Sequence, residues 1–176
     1  MSNEVNATKA NEAPTRLADG TYQPVLTVSD LDRCGRRWML GASIYNYESQ
    51  CAPAVMFATE PALRKIYAGD EEGYRRSLLS TYRYYNATPQ VSGLLLGAGL
   101  ALEDKGHNDA IDAVQDLKIG LMGSLSGVGD TIFAILIPTI FGSIAAYMGQ
   151  AGNPVGVLLW LAVAIAISYG SSLTGA

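Results

Sequence analysis

The chain has 176 residues, with 12 Lys plus Arg, 16 Asp plus Glu, one His, two Cys and a net charge of −4. Apolar residues make up 49% and charged residues 16%, against about 25% charged in an average soluble domain. This length suits one domain, the apolar content excludes wholesale disorder, and the acidic balance argues against a nucleic-acid partner.

Charge is distributed unevenly. All 12 basic residues and 15 of the 16 acidic ones lie at or before Lys118, and Asp130 is the only charged residue from Ile119 to Ala176. A packed soluble domain with one charge over that length would have almost nothing to present to water, so the second half belongs in a membrane. The two thiols, Cys34 and Cys51, cannot make a disulfide framework or a four-ligand zinc site and read as inert and reduced.

Residues 1–27 carry Asn, Ala, Thr, Glu and scattered Pro with no apolar period, and predict a disordered tail. No apolar run follows a basic start, which excludes a signal peptide. Ser29-Asp30-Leu31-Asp32 has the form of a capping box. The helix after it places Leu31, Cys34 and Trp38 on one side and Arg33, Arg36 and Arg37 elsewhere. That pattern fits either the cytoplasmic membrane surface or an ordinary core helix.

Glu60-Pro61 suits the start of a short helix ending before Gly69, and Asp70-Glu71-Glu72 puts three carboxylates at the positive end of the next. Tyr74, Leu78, Tyr82 and Tyr85 follow as an apolar-aromatic stripe, closed by Asn86-Ala87-Thr88-Pro89. Val91 to Leu102 is apolar but too short to cross a hydrocarbon core needing about 20 residues, and it stops at Glu103-Asp104-Lys105-Gly106. His107 lies in a polar Gly-His-Asn loop and reads as solvated. Asn108 or Asp109 can cap a further short helix carrying Ile111, Val114 and Leu117. The region 28–118 is therefore expected to be amphipathic, helical and at the membrane surface.

From 119 to 176 the expected region is membrane-embedded. A glycine-rich run ends at Asp130, an apolar stretch from Thr131 to Met148 is interrupted by Pro138 and Gly142, and another runs from Val155 onward. Interrupted apolar segments mark places where helices break or re-enter the membrane. Gly120, Gly123 and Gly127 would let another backbone approach closely. An acidic residue among apolar segments is by default a functional candidate, although Asp130 could equally cap the helix after it. One histidine supports no catalytic triad, the glycines lack the Lys of a phosphate loop, and no metal or cofactor set is evident. The fold class expected is mainly α, an integral membrane protein with amphipathic cytoplasmic-side helices and broken or re-entrant apolar helices.

Several segments in order carry a resemblance. They are Asn46-Tyr47-Glu48, the run Pro61-Ala-Leu-Arg-Lys-Ile-Tyr67, Asn86-x-x-Pro89, Leu100-Ala-Leu-Glu103, and Lys118-Ile-Gly-Leu-Met-Gly123-x-Leu-x-Gly127-Val-Gly129-Asp130. The chain resembles the IID subunit of the mannose–fructose–sorbose family of the bacterial sugar phosphotransferase system, over roughly Leu31 to Gly170. Ser49, Ser124, Ser126 and Ile137 depart from residues common among relatives, and relatives continue past the end of this chain.

The resemblance implies a subunit that pairs with a IIC membrane subunit to translocate a hexose-type sugar. Soluble IIA and IIB components would carry phosphate from phosphoenolpyruvate on histidines. The IID subunit itself would carry no phosphoryl group, have no catalytic activity of its own and need no cofactor. Asp130, Glu103, Lys118, Asn86 and Asn46 are then the candidates for the sugar path or the subunit contact around it, with Gly120, Gly123, Gly127 and Gly129 as structural glycines. The setting implied is the bacterial cytoplasmic (inner) membrane, and the Arg-rich amino-terminal half is expected on the cytoplasmic side. A membrane scaffold that binds IIC without a complete sugar path is the alternative.

Overall fold

A computed structural model describes residues 14–41 and 43–173, with side chains up to residue 167. Its regular elements are all helical. They are α1 (Val28–Gly41), α2 (Ala52–Ile66), α3 (Glu71–Thr81), α4 (Pro89–Gly106), a 3₁₀ turn (His107–Asp109), α5 (Ile111–Gly129), a π-helical stretch (Asp130–Leu136), α6 (Ile137–Gln150) and α7 (Val155–Leu173).

The tail expected over 1–27 is docked where it is described, and its first 13 residues lie outside the described residues. Tyr22 N–H donates to the Lys105 carbonyl at 2.8 Å, and the Asp104 carboxylate accepts from Val25 N–H at 2.9 Å and Leu26 N–H at 3.1 Å. Two consecutive donors on one buried carboxylate account for the order: a polar-looking strap becomes fixed when its backbone has partners. The capping box lies two residues earlier than expected. Thr27 N–H donates to Asp30 Oδ2 at 2.8 Å, and Lys65 reaches the same oxygen at 2.6 Å.

Of the two environments open to α1, its buried side faces the core: Cys34 and Trp38 are buried, and α1 packs along α2. α2 begins earlier than Pro61 suggests, with Pro53 in its first turn and Pro61 inside it. An internal proline strips a hydrogen bond from the carbonyl four residues back, here that of Phe57. Arg37 Nε donates to that carbonyl at 2.7 Å, its guanidinium lies 4.1 Å from the Phe57 ring centre, and it pairs with Glu60 at 3.6 Å. α1 thus supplies the partner that lets α2 run through a proline.

Asp70 caps α3, accepting from Gly73 N–H at 2.9 Å, and that backbone bond leads the effects holding its carboxyl below the usual range. α3 ends at Thr81, short of the expected closure at Asn86–Pro89, so the aromatic stripe divides. Tyr74 and Leu78 pack on the core, Tyr82 is exposed, and Tyr85 is buried beyond the helix end. Pro89 opens α4. Asn108 does not cap the helix after it; its amide donates to Asp70 Oδ2 at 2.8 Å.

The glycine-rich segment is helical throughout. Ile111 to Gln150 forms one continuous helical path of 40 residues, about 60 Å at 1.5 Å per residue, and no residue of its most apolar stretch is buried inside the chain. Such a surface requires lipid or another subunit. The expected interruption takes the form of a wider turn. Ile137 N–H donates five residues back to the Ile132 carbonyl, immediately before Pro138, whose missing N–H cannot continue an α ladder. A turn at Gly152 (φ +74°) then returns the chain as α7, where Gly156 lies so close to Ala145 and Met148 that a Cβ would come within 2.8 Å of Met148 Cβ. α7 also packs against α4 and α1, which ties the apolar hairpin to the amino-terminal helices.

Candidate functional site

Four residues spaced by four, Lys118, Met122, Ser126 and Asp130, lie along one side of the long helix, over about 18 Å. The segment from Thr81 to Thr88 follows the same line. Lys118 Nζ donates to the Thr81 carbonyl at 3.3 Å, Asn86 N–H points to Met122 Sδ at 3.1 Å, and Thr88 Oγ1 lies 3.1 Å from the Ser126 carbonyl. At the end of the line Thr88 Oγ1 and Asp130 Oδ1 are 2.6 Å apart. Asp130 therefore faces Thr88 across an interhelical contact rather than capping the helix after it.

Gly129 makes this contact possible. A Cβ there would lie 2.5 Å from Thr88 Oγ1 and 2.6 Å from Thr88 Cβ, whereas at Gly120, Gly123 and Gly127 a Cβ would meet nothing within 4 Å. Within this chain only Gly129 of the four admits a close neighbour; the other three present open helix surface. Thr88 is fixed from behind. Ser92 Oγ donates to the Thr88 carbonyl at 3.0 Å, Tyr85 OH donates to Ser92 Oγ at 3.0 Å, and Trp38 Nε1 donates to the Pro89 carbonyl at 3.0 Å. Burial pushes the Tyr85 phenol up to about 12, so it stays a neutral donor. The Asp130 carboxylate is left exposed on the wide turn, with acceptor capacity beyond its bond to Thr88.

Asn46 is occupied differently. Its Oδ1 accepts from Ser49 N–H at 2.6 Å and Ser49 Oγ at 3.0 Å, closing a turn, and its amide points to Tyr82 OH at 3.5 Å. Bridges Asn46↔Gln50 and Gln50↔Tyr85 join this turn to the strand-like residues before Asn86. The two motif segments are thus neighbours, although 40 positions apart in sequence. Tyr45, Tyr47, Tyr82 and Tyr84 stand exposed around them.

Glu103 and Lys118 come together elsewhere, in a recess between α3, α4 and α5 that Ser77, Thr81 and Gln115 also line. Both charged residues are buried, at 3% and 4% exposure. Tyr67 OH donates to Glu103 Oε1 at 2.9 Å. Burial, the largest influence, raises the Glu103 carboxyl above its ordinary range, against the nearby hydroxyls of Ser77 and Tyr67 and the charge of Lys118. The five candidates therefore do not form one site: Asp130 meets Thr88, Asn86 lies beside Met122 about two helical turns away, Glu103 and Lys118 share the recess, and Asn46 closes its loop.

Sequence reasoning missed Thr88, Tyr67, Ser77 and Gln115. The fourfold spacing from Lys118 to Asp130 marks one side of the long helix, but nothing in it names Thr88 as the residue across from Asp130. His107 differs from expectation too: it is buried, its ring 3.8 Å from that of Tyr22 and 5.4 Å from that of Tyr67, and burial lowers its pKa. The strap that covers it was the part expected to be free. No group of three His, Cys, Asp or Glu is gathered as a metal site among the described residues.

Comparison with known proteins agrees with this architecture. The family described as the PTS system mannose/fructose/sorbose family IID component matches residues 25–176. The mannose-specific EIID component of Escherichia coli K12 is 34% identical over 143 residues, covering 80% of this chain and 50% of the relative. The fructose permease IID component of Bacillus subtilis is 30% identical over 141 residues, covering 78% and 50%. Among solved structures, a chain of the mannose transporter ManYZ in complex with microcin E492 superposes with a TM-score of 0.75 at 31% identity, covering 87% of this chain and 58% of that one. The chain spans about half the length of the curated relatives it matches. A mainly α-helical membrane architecture, a match over nearly the whole chain and relatives from distinct bacteria lead to one assignment: the chain belongs to the mannose/fructose/sorbose family of IID components of the phosphotransferase system.

Proposed function

We propose that this chain serves as a membrane subunit of a sugar permease of the phosphotransferase type, working beside a IIC subunit. Soluble IIA and IIB components supply the phosphate that traps the incoming hexose, and the Arg-rich amino-terminal half lies on the cytoplasmic side. The observation that carries this reading is Asp130. It is the only charge in the apolar half, it is exposed on a π-helical turn, and Thr88 steers one of its oxygens while the other is free. A carboxylate is expensive at such a position unless it faces a polar path or a partner, and π turns concentrate at functional positions.

Neutral sugars are recognised by acceptors and amides that exchange hydrogen bonds with hydroxyls. Asp130, and Asn86 further along the same segment as its partner Thr88, are the residues we assign to that contact. Asn46 shapes the adjoining loop; Lys118 stands at the cytoplasmic end of the same helix face, with Glu103 of α4 across the recess from it. None of these groups transfers phosphate.

The test is phosphoenolpyruvate-dependent sugar uptake in cells supplying IIC, IIA and IIB, with Asp130→Asn and Asn86→Ala. Loss of uptake with normal assembly supports the assignment; full uptake in both variants removes it. A complex that assembles without any sugar phosphorylation would favour the scaffold reading.

A further inference from the structure

The recess holding Glu103 and Lys118 has unused hydrogen-bonding capacity. Among the described residues, Ser77 Oγ and Gln115 Oε1 are buried side-chain atoms with no well-formed hydrogen bond, on residues 1% and 5% exposed; both residues line it, and the Ser77 hydroxyl is close enough to Glu103 to lower the pKa of that carboxyl. A buried polar atom with no partner pays its desolvation uncompensated, and native proteins rarely retain one empty-handed. Lys118 adds an ammonium with three N–H groups, of which one addresses the Thr81 carbonyl at 3.3 Å. Glu103 adds a carboxyl bonded to Tyr67 through one oxygen.

Size and charge define what fits. The space admits about one water molecule. A cation would face the Lys118 ammonium, and an anion would face the Glu103 carboxylate. A neutral group that both gives and accepts hydrogen bonds meets all four walls: it donates to Gln115 Oε1 and to Glu103, and accepts from Lys118 and Ser77. We infer that this recess binds a single hydroxyl-sized neutral group between Ser77, Gln115, Glu103 and Lys118. The recess takes water, and the group bridges α3, α4 and α5 where the amino-terminal helices meet the long helix. This goes beyond the transport reading and does not depend on Asp130.

One alternative source of the same chemistry is a sugar hydroxyl reaching in from outside. A high-resolution cryo-EM structure of the chain in its membrane complex, with and without a hexose such as mannose, separates the two. Isolated density within hydrogen-bonding distance of Ser77 Oγ, Gln115 Oε1 and Lys118 Nζ in both states identifies water. Density continuous with the sugar only when it is added identifies a sugar hydroxyl. An empty recess, or a bound ion, overturns the inference.

Thermal stability supplies a second reading that needs no transport. If one bridging group serves both side chains, Ser77→Ala combined with Gln115→Met lowers the Tm no further than the worse single variant. Fully additive losses refute the bridge. Failure of uptake in the Asp130 variants leaves both readouts unaffected.

Discussion

Gly129→Ala is a sharp test of the Asp130 contact, because its consequence follows from a single distance. The added methyl would begin 2.5 Å from Thr88 Oγ1, and ordinary contact begins near 3.4 Å, so Thr88 or the helix must retreat by about 1 Å. Thr88 has little room, since its carbonyl is held by Ser92 and its neighbour Pro89 by Trp38. Retreat stretches the 2.6 Å bond to Asp130 past useful range. Losing one such bond costs about 1–2 kcal/mol and crowding about 1–3, while alanine recovers about 0.5–1 through helix propensity. The net loss is about 1–4.5 kcal/mol, centred near 3, or roughly 6–12 °C in Tm at the centre for a chain of this size. Gly123→Ala, where a Cβ meets nothing within 4 Å, supplies the control and should hold or slightly raise Tm in detergent. The assay is thermal unfolding of the purified variants side by side. Equal effects at 129 and 123 would refute the reasoning.

Three further outcomes are expected. Arg37→Met removes the donor that satisfies the Phe57 carbonyl opposite Pro61 and should destabilise by about 1.5–3 kcal/mol, whereas Arg36→Met on the exposed side should be near neutral; equal unfolding midpoints would contradict this. His107 has a folded pKa lowered by burial, partly offset by Asp104 and Asp70, so the unfolded chain takes up the proton first. Stability should therefore be full above about pH 6.5, fall as the pH drops below it, and level off below the folded value, with His107→Phe flattening that dependence in denaturant titrations. Burial also raises the Cys34 and Cys51 thiols, so both should resist alkylation in the folded chain and react on unfolding, as mass spectrometry would show.

The residues differ in how much of this they reveal by themselves. The placement of charge marks the membrane half, and Asp70 before a run of carboxylates marks the start of α3, because both effects are local. Pro61 is misleading taken alone: its disruption of α2 is cancelled by Arg37, 24 positions away, which no local rule anticipates. The glycines before Asp130 suggest broken backbone, yet each is compatible with a helix, and the distortion moves to the wide turn before Pro138. His107 looks solvated until the strap through Tyr22 is laid over it. Among the site candidates, the type of Asp130 and its isolation were readable. Its partner Thr88 was not, since a threonine before a proline ordinarily means only a helix start, and the pairing depends on Gly129 having no side chain.

The proposed role rests most directly on whether this chain joins a partner in the membrane. The decisive measurement is detergent co-purification of this exact chain, co-expressed with a IIC-type subunit and with a longer IID relative as the positive control. The account predicts a stable membrane complex that persists in Asp130→Asn and weakens in Gly129→Ala. Recovery of the control complex alone, with this chain absent from the partner's fraction, would contradict it.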